Sequence, residues 1–244
     1  MFMVFLALLV APATAVRAGE TVSYEVNGDP YKGYYVSPPS DEAPLVLLVH
    51  DWNGLTDYEV KRAEMLADSG YAVFAADLFG AGVRPTKVED KRQHTGEMYA
   101  NRDELRDRLR GALKAAEEHG ANVDNAVAMG YCFGGAAVLE LARAGGDLEG
   151  FATFHGGLST PEGQNYADTK AELLIMHGTA DSHITMEDFT ALAEQLEQHG
   201  VPHRMMTYGG APHAFTVFGS DSYTEGADRK SWRLFQRFLV DKLR

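Results

Sequence analysis

The chain holds one cysteine, Cys132, in the segment Gly130-Tyr131-Cys132-Phe133-Gly134-Gly135. The pattern G-x-C-x-G-G has the form of a nucleophile elbow, with sulfur where a serine oxygen is commoner. In such a turn a strand passes sharply into a helix. The middle residue is forced into a strained backbone conformation and presents its side chain outward. Gly130 and Gly134 flank it because a Cβ at either position would clash. The thiol would then lie beside a helix N-terminus, whose free N–H groups and dipole favour a thiolate and a developing oxyanion. The bland alternative is an inert cysteine buried in a Gly-rich turn, so the partners decide.

A thiol nucleophile needs a base to take its proton and a carboxylate to orient that base. The apolar run Leu173–Met176 is followed by His177-Gly178-Thr179-Ala180-Asp181, which puts an acid in a loop directly after a strand. Near the end, Gly209-Gly210-Ala211-Pro212-His213-Ala214-Phe215 puts a histidine in a Gly/Pro loop. The order Cys132, Asp181, His213 is the nucleophile–acid–base order of α/β-hydrolases. Competing residues are weaker. Asp188 falls inside the next helix, His183 is a neighbour in the Asp181 loop, and His203 begins a strand at the end away from the site. His50, His155 and His177 sit at strand ends, but no HExxH or comparable spacing makes them a metal cluster, and no metal is expected.

These residues need a scaffold, and the hydropathy pattern supplies one. Thr21 to Val36 alternates around Asn27-Gly28, a hairpin turn between two short antiparallel strands. Leu45–Val49, Tyr71–Ala76, Ala126–Met129, Phe151–Phe154 and Leu173–Met176 are short apolar runs of the kind buried on both faces of a parallel sheet. Between and after them come predicted helices: a capping box at Thr56 and Glu59 opening a helix to about Ser69, then Arg102–His119, Gly135–Ala144, Met186–His199 and Ser231–Leu243. Arg204–Tyr208 is a last extended segment. The alternation predicts an α/β fold: one mostly parallel central sheet with helices on both faces, ligands collecting at the carboxyl ends of the strands.

Composition narrows the function. Of 244 residues, 45% are hydrophobic and 23% charged, which is globular, and 22 basic against 35 acidic residues leave a net charge of −13 that disfavours nucleic acid. A single cysteine excludes an internal disulfide and any zinc site with two thiolates. Met1–Val10 is apolar, with Ala13-Thr14-Ala15 after it, so residues 1–18 read as a signal peptide and 19–244 as a single domain. The apolar run is too short to span a bilayer, so the mature chain is expected outside the cytoplasm, periplasmic or secreted, without stable membrane insertion. Nothing in the pattern sets an oligomeric state.

With these residues in view, the chain resembles the dienelactone hydrolase family of cysteine-dependent α/β-hydrolases, from about Tyr34 to Leu243. The resemblance is carried by His50-Asp51-Trp52-Asn53-Gly54-Leu55, Gly70-Tyr71-Ala72-Val73 with Asp77-Leu78, the Cys132 elbow, His177-Gly178 with Asp181, and His213-Ala214-Phe215. It implies an α/β-hydrolase fold and hydrolysis of a small-molecule ester or lactone through an acyl-thioester, without cofactor. Cys132 would be the nucleophile, His213 the base and Asp181 the orienting acid, with the backbone N–H groups of Phe133 and Trp52 as oxyanion donors.

Two positions depart from the family pattern. A glutamate that contacts the resting thiol is replaced by Asp51, one methylene shorter, which either still touches Cys132 or accepts N–H bonds in its own loop. The arginines that bind a substrate carboxylate are missing: His213-Ala214-Phe215-Thr216-Val217 has none, and the other position falls near Thr95. Arg84, Arg92 and Arg102 lie nearby in sequence. Without that anchor the pocket is expected to favour neutral esters or lactones, with Trp52, Asn53, Phe79, Tyr99 and Phe215 as candidate lining residues. Two alternatives stay open: a thioesterase or acyl transferase on the same triad, and a non-catalytic thiol redox sensor. A histidine base predicts activity lost on the acid side.

Overall fold

The computed structural model describes residues 18–40 and 42–243, so the expected leader lies outside it but for Ala18. Eight strands form one sheet in the order β1-β2-β4-β3-β5-β6-β7-β8. β1 (Glu20–Val26) and β2 (Asp29–Val36) are the expected hairpin, and β2 pairs antiparallel with β4 (Ala72–Ala76). From β4 onward every pairing is parallel: β3 (Pro44–Val49), β5 (Asn122–Tyr131), β6 (Gly150–Phe154), β7 (Glu172–Gly178) and β8 (His203–Tyr208).

The central strands are apolar throughout because both their faces are covered. Alternate side chains of β3 divide between two cores. Leu45, Leu47 and Val49 join Leu105 and Leu109 of α3 (Arg102–Glu118), Val138 and Leu139 of α4 (Phe133–Arg143), and Leu192 and Leu196 of α5 (Met186–Gln198). Val46 and Leu48 join Ala63 and Leu66 of α1 (Asp57–Ala67) and Phe235 and Phe238 of α6 (Glu225–Lys242). A buried carboxylate ties α3 to α4: Glu140 takes Arg106 Nε at 2.8 Å and Arg143 Nη2 at 2.8 Å.

β3 is where the strand order reverses, since the chain leaves it for β4 on one side and later returns as β5 on the other. Loops leaving the carboxyl ends of such a pair diverge and open a crevice. Trp52 follows β3 and Cys132 follows β5, whose ends are in register at Val49 and Gly130. The elbow is as tight as the pattern implies. A Cβ on Gly130 would stand 2.2 Å from the carbonyl of Gly134, and one on Gly134 would stand 2.3 Å from Val49 O. α4 therefore enters the sheet at backbone contact.

Two elements differ from the sequence expectation. α2 (Val88–Ala100) forms where no helix is predicted, because Met98 alone of its residues is buried and its N-cap, Lys87, makes no side-chain cap bond. α6 begins at Glu225 rather than Ser231, continuing through Gly226 because Ala227 and Asp228 find buried partners. We predict that Gly134→Ala lowers stability by about 1–3 kcal/mol, the usual cost of overpacking, in urea unfolding followed by circular dichroism. An unchanged midpoint would contradict the close approach of α4 to β3.

Candidate active site

Cys132 is the N-cap of α4 and takes φ 52°, ψ −112°. Four backbone bonds hold it there. Its N–H donates to Phe154 O at 3.1 Å, and its carbonyl accepts from Gly135 N at 3.1 Å, Ala136 N at 3.4 Å and Gly157 N at 3.3 Å. The thiol is half-buried. Its Sγ lies 3.1 Å from His213 Nε2, and His213 Nδ1 lies 2.7 Å from Asp181 Oδ2. Three residues spread over 82 positions thus meet at the carboxyl ends of β5, β7 and β8.

Each partner is itself held. The other oxygen of Asp181 accepts from the His183 and Ile184 N–H groups, both at 2.9 Å, and His177 Nε2 binds Ile184 O at 3.0 Å. Burial alone would raise the Asp181 carboxyl, but the bonds to His213, Ile184 and His183 outweigh it and hold the group below the usual carboxylate range. For His213 burial again opposes charge. The hydrogen bonds to Asp181 and to Cys132 win, and the imidazole is pushed up to about 10. At neutral pH the proton of the Cys132–His213 pair therefore favours the imidazole.

The loop after His213 turns through Ala214 at φ 60° and is fastened at Thr216. The Thr216 hydroxyl meets His155 Nε2 at 2.8 Å and Tyr58 Oη at 2.7 Å, while its carbonyl accepts from Arg62 Nη2 at 2.8 Å. Arg62 is buried, paired with Asp228, and lies against the rings of Tyr58, Phe218 and Trp232. His155 stands beside His213 with ring centres 5.2 Å apart, and burial drives it well below its ordinary value, so it stays neutral next to the charged ring. His183 reaches His213 from the other side, its ring centre 5.6 Å away. Sequence reasoning placed these histidines only at strand ends and loops. The signal for Thr216, a hydroxyl three residues past a loop histidine, was too generic to single out.

The expected oxyanion donors are backbone N–H groups. Among the described residues neither Phe133 N nor Trp52 N donates to a protein acceptor. Phe133 is the first residue of α4, where N–H groups point out of the helix. The Asp51 carboxylate accepts from Asn53 N at 2.7 Å and from Asn53 Nδ2 at 2.9 Å, bonds inside its own loop. Burial raises the Asp51 carboxyl. Glu59, the capping-box acid, binds Thr56 at 2.8 and 2.7 Å and reaches Asp51 N at 3.4 Å. It is pushed up to about 8 by burial and by Asp51.

The candidate lining residues divide. Phe215 is fully buried and belongs to the α1–α6 core, and Phe79 is buried against His50 and Phe133. Trp52 and Tyr99 remain open to solvent, with Tyr99 packed on Phe133 at 5.6 Å and Lys91 over the Trp52 ring at 5.2 Å. Of the nearby arginines, Arg84 binds Val83 O at 2.7 Å and faces Asp77, while Arg102 lies over Tyr99 and near Glu140. Among the described residues no group of three or more His, Cys, Asp or Glu side chains is arranged to hold a metal.

An elbow, an acid and a histidine at the carboxyl ends of a mostly parallel sheet define an α/β-hydrolase. The sequence pattern of the dienelactone hydrolase family matches residues 31–243, and the chain belongs to that family and is a hydrolase. A protein of Aquifex aeolicus (strain VF5) assigned as a carboxymethylenebutenolidase is 24% identical, over 93% of this chain and 100% of its own length. A Bradyrhizobium protein assigned as a 2-oxo-3-(5-oxofuran-2-ylidene)propanoate lactonase is 26% identical, over 90% of this chain and 93% of its own. Among solved structures, a dienelactone hydrolase-like promiscuous phosphotriesterase from metagenomic libraries superposes with a TM-score of 0.86 at 27% identity, covering 93% of this chain and 99% of that one.

The raised value of His213 makes a signed prediction. A group whose value rises on folding stabilises the fold fully below its unfolded value of 6.5 and loses that contribution as pH climbs through about 10. The stability advantage of the wild type over His213→Gln is therefore expected to be largest near pH 6 and to shrink toward pH 10. Urea midpoints of both proteins across that range measure it. An advantage that grows with pH would contradict the assignment.

Proposed function

We propose that this chain hydrolyses small carboxylic esters or lactones through a Cys132 acyl-thioester. The observation that carries the reading is the unbroken line from Cys132 Sγ to His213 Nε2 at 3.1 Å and from His213 Nδ1 to Asp181 Oδ2 at 2.7 Å. With the proton of the Cys132–His213 pair on the imidazole, the Cys132 sulfur attacks the carbonyl carbon. The carbonyl oxygen takes the negative charge in the space between the Phe133 and Trp52 N–H groups, where one lost donor typically costs roughly 10² to 10³ in rate. The tetrahedral intermediate then collapses, the C–O bond to the leaving group breaks, and His213 gives its proton to that oxygen.

Acylation turns the sulfur into a neutral thioester. Of the bonds that hold a proton on His213, the one to Cys132 is then lost, so the imidazole is freed to act as a base on water. Water attacks the thioester, its proton goes to His213, and the thiolate leaves. The acid-side dependence therefore belongs to deacylation rather than to the resting enzyme. In a lactone the leaving oxygen stays attached to the acyl group, and ring-opened hydroxy acid departs after the same second step.

Neutral substrates are favoured because Arg84 and Arg102 are engaged with Asp77 and Glu140. The assigned names of the two relatives support the lactone side of the reading. Export is proposed on the apolar leader, and in an oxidising compartment a free thiol kept without a disulfide partner favours a chemical role for Cys132.

The test is p-nitrophenyl acetate hydrolysis by the purified mature chain, beside a panel of neutral and carboxylate-bearing lactones. Cys132→Ala is expected to abolish turnover and His213→Ala to lower kcat/KM by roughly 10² to 10⁴. An acid quench should yield a chain heavier by one acetyl group, with the adduct absent from Cys132→Ala. Turnover that survives Cys132→Ala would end the reading. Faster turnover of carboxylate-bearing lactones than of neutral ones would reverse the substrate preference.

A further inference from the structure

His50 is a fully buried histidine that the mechanism above does not use. It directly follows β3, and its ring sits against Phe79 at 4.7 Å and Phe133 at 5.9 Å between centres. Both ring nitrogens are occupied by backbone. Leu78 N–H donates to Nε2 at 3.1 Å, so Nε2 must offer its lone pair and Nδ1 must carry the proton. That Nδ1–H lies 2.6 Å from Asp51 O, a group that can only accept. The tautomer is thus fixed by its two partners. Burial pushes His50 down to about 3, so the ring is neutral throughout the working range.

The carbonyl that His50 grips belongs to the peptide unit whose other end is Trp52 N–H. A peptide is planar and, with no cis bond among the described residues, its C=O and N–H point in opposite directions. Holding the oxygen toward the buried ring therefore aims the Trp52 N–H away from it, toward the crevice. A donor on the carbonyl also polarises the peptide and strengthens its N–H as a donor. Gly54 N closes a turn onto the same oxygen at 3.3 Å, a longer bond than the one from His50.

We propose that His50 is a positioning residue for the oxyanion site, fixing the 51–52 peptide so that the Trp52 N–H faces the developing charge. The proposal rests on the ester-hydrolase reading above. It predicts that the donor at Nδ1, and not the bulk of the ring, governs turnover. His50→Asn keeps a donor at the Nδ1 position and loses the acceptor for Leu78. His50→Gln keeps an acceptor near Nε2 and loses the donor to Asp51. Each variant removes one bond to a backbone group, so both lower the melting temperature, whereas only His50→Gln leaves the 51–52 peptide held by the longer Gly54 bond alone.

The experiment is steady-state hydrolysis of p-nitrophenyl acetate by wild type, His50→Asn, His50→Gln and Cys132→Ala, with melting temperatures for each. His50→Gln is expected to lose at least about tenfold in kcat with KM unchanged, part of the roughly 10² to 10³ that deleting an oxyanion donor costs. His50→Asn is expected within about threefold of wild type, well short of such a loss. Equal kcat in folded His50→Asn and His50→Gln, or a loss confined to KM, overturns the proposal. A wild type without turnover, or turnover that survives Cys132→Ala, overturns the hydrolase reading instead. Should either variant fail to fold, ¹⁵N spectra of histidine-labelled wild type decide. A neutral Nδ1–H ring for His50 from pH 5 to 8 supports the assignment, and an Nε2–H ring or an imidazolium refutes it.

Discussion

Everything at the site depends on a backbone held where side chains rarely go. Cys132 sits at φ 52°, ψ −112°, a conformation that costs on the order of 1–3 kcal/mol and persists only where its surroundings over-determine it. They do so here through four hydrogen bonds to the Cys132 peptide groups and through the contact of Gly134 with Val49 O. The strain has a direct chemical return. It throws the sulfur out of the sheet toward His213 while leaving Phe133 as the first residue of a helix with its N–H free. The thiol and the Phe133 N–H belong to consecutive residues, and one turn sets both.

The rest of the site is a second use of the same economy. His50, Asp51 and Glu59 fix the loop after β3, and Thr216 fixes the loop that carries His213. The first meets the elbow through the His50 ring against Phe133, the second through the His213 imidazole against Cys132. The two are also tied to the buried face of α1, where Glu59 reaches Asp51 N and Tyr58 and Arg62 reach Thr216. Two buried opposite-charge pairs flank the His213 loop: Asp181 with His213, and Arg62 with Asp228. His155 and His50 stay neutral, which spares the site two uncompensated cations.

What the sequence revealed follows from where the information is stored. Strands β3 to β7 were legible because burial on both faces demands unbroken apolar runs, and the meeting of Cys132, Asp181 and His213 because the first two follow such runs and the third lies in a Gly/Pro loop after the last extended segment. The glycines at 130 and 134 were legible because sterics leave no other residue. α2 was not, since a helix with Met98 as its buried residue has almost no apolar stripe to read. Phe215 was read as a lining candidate and is core, because its neighbour Ala214 takes a positive φ that reverses which side faces inward. The parts played by His50 and Thr216 are written in contacts with backbone oxygens and distant helices, which no local pattern encodes.

The double attachment of α1 has a mechanical consequence. One helix, 11 residues long, holds the loop with the Trp52 N–H through Glu59 and the loop with the imidazole through Tyr58 and Arg62. Segments that leave different strands thus share a common anchor, while Cys132 caps a helix packed on the opposite layer of the sheet.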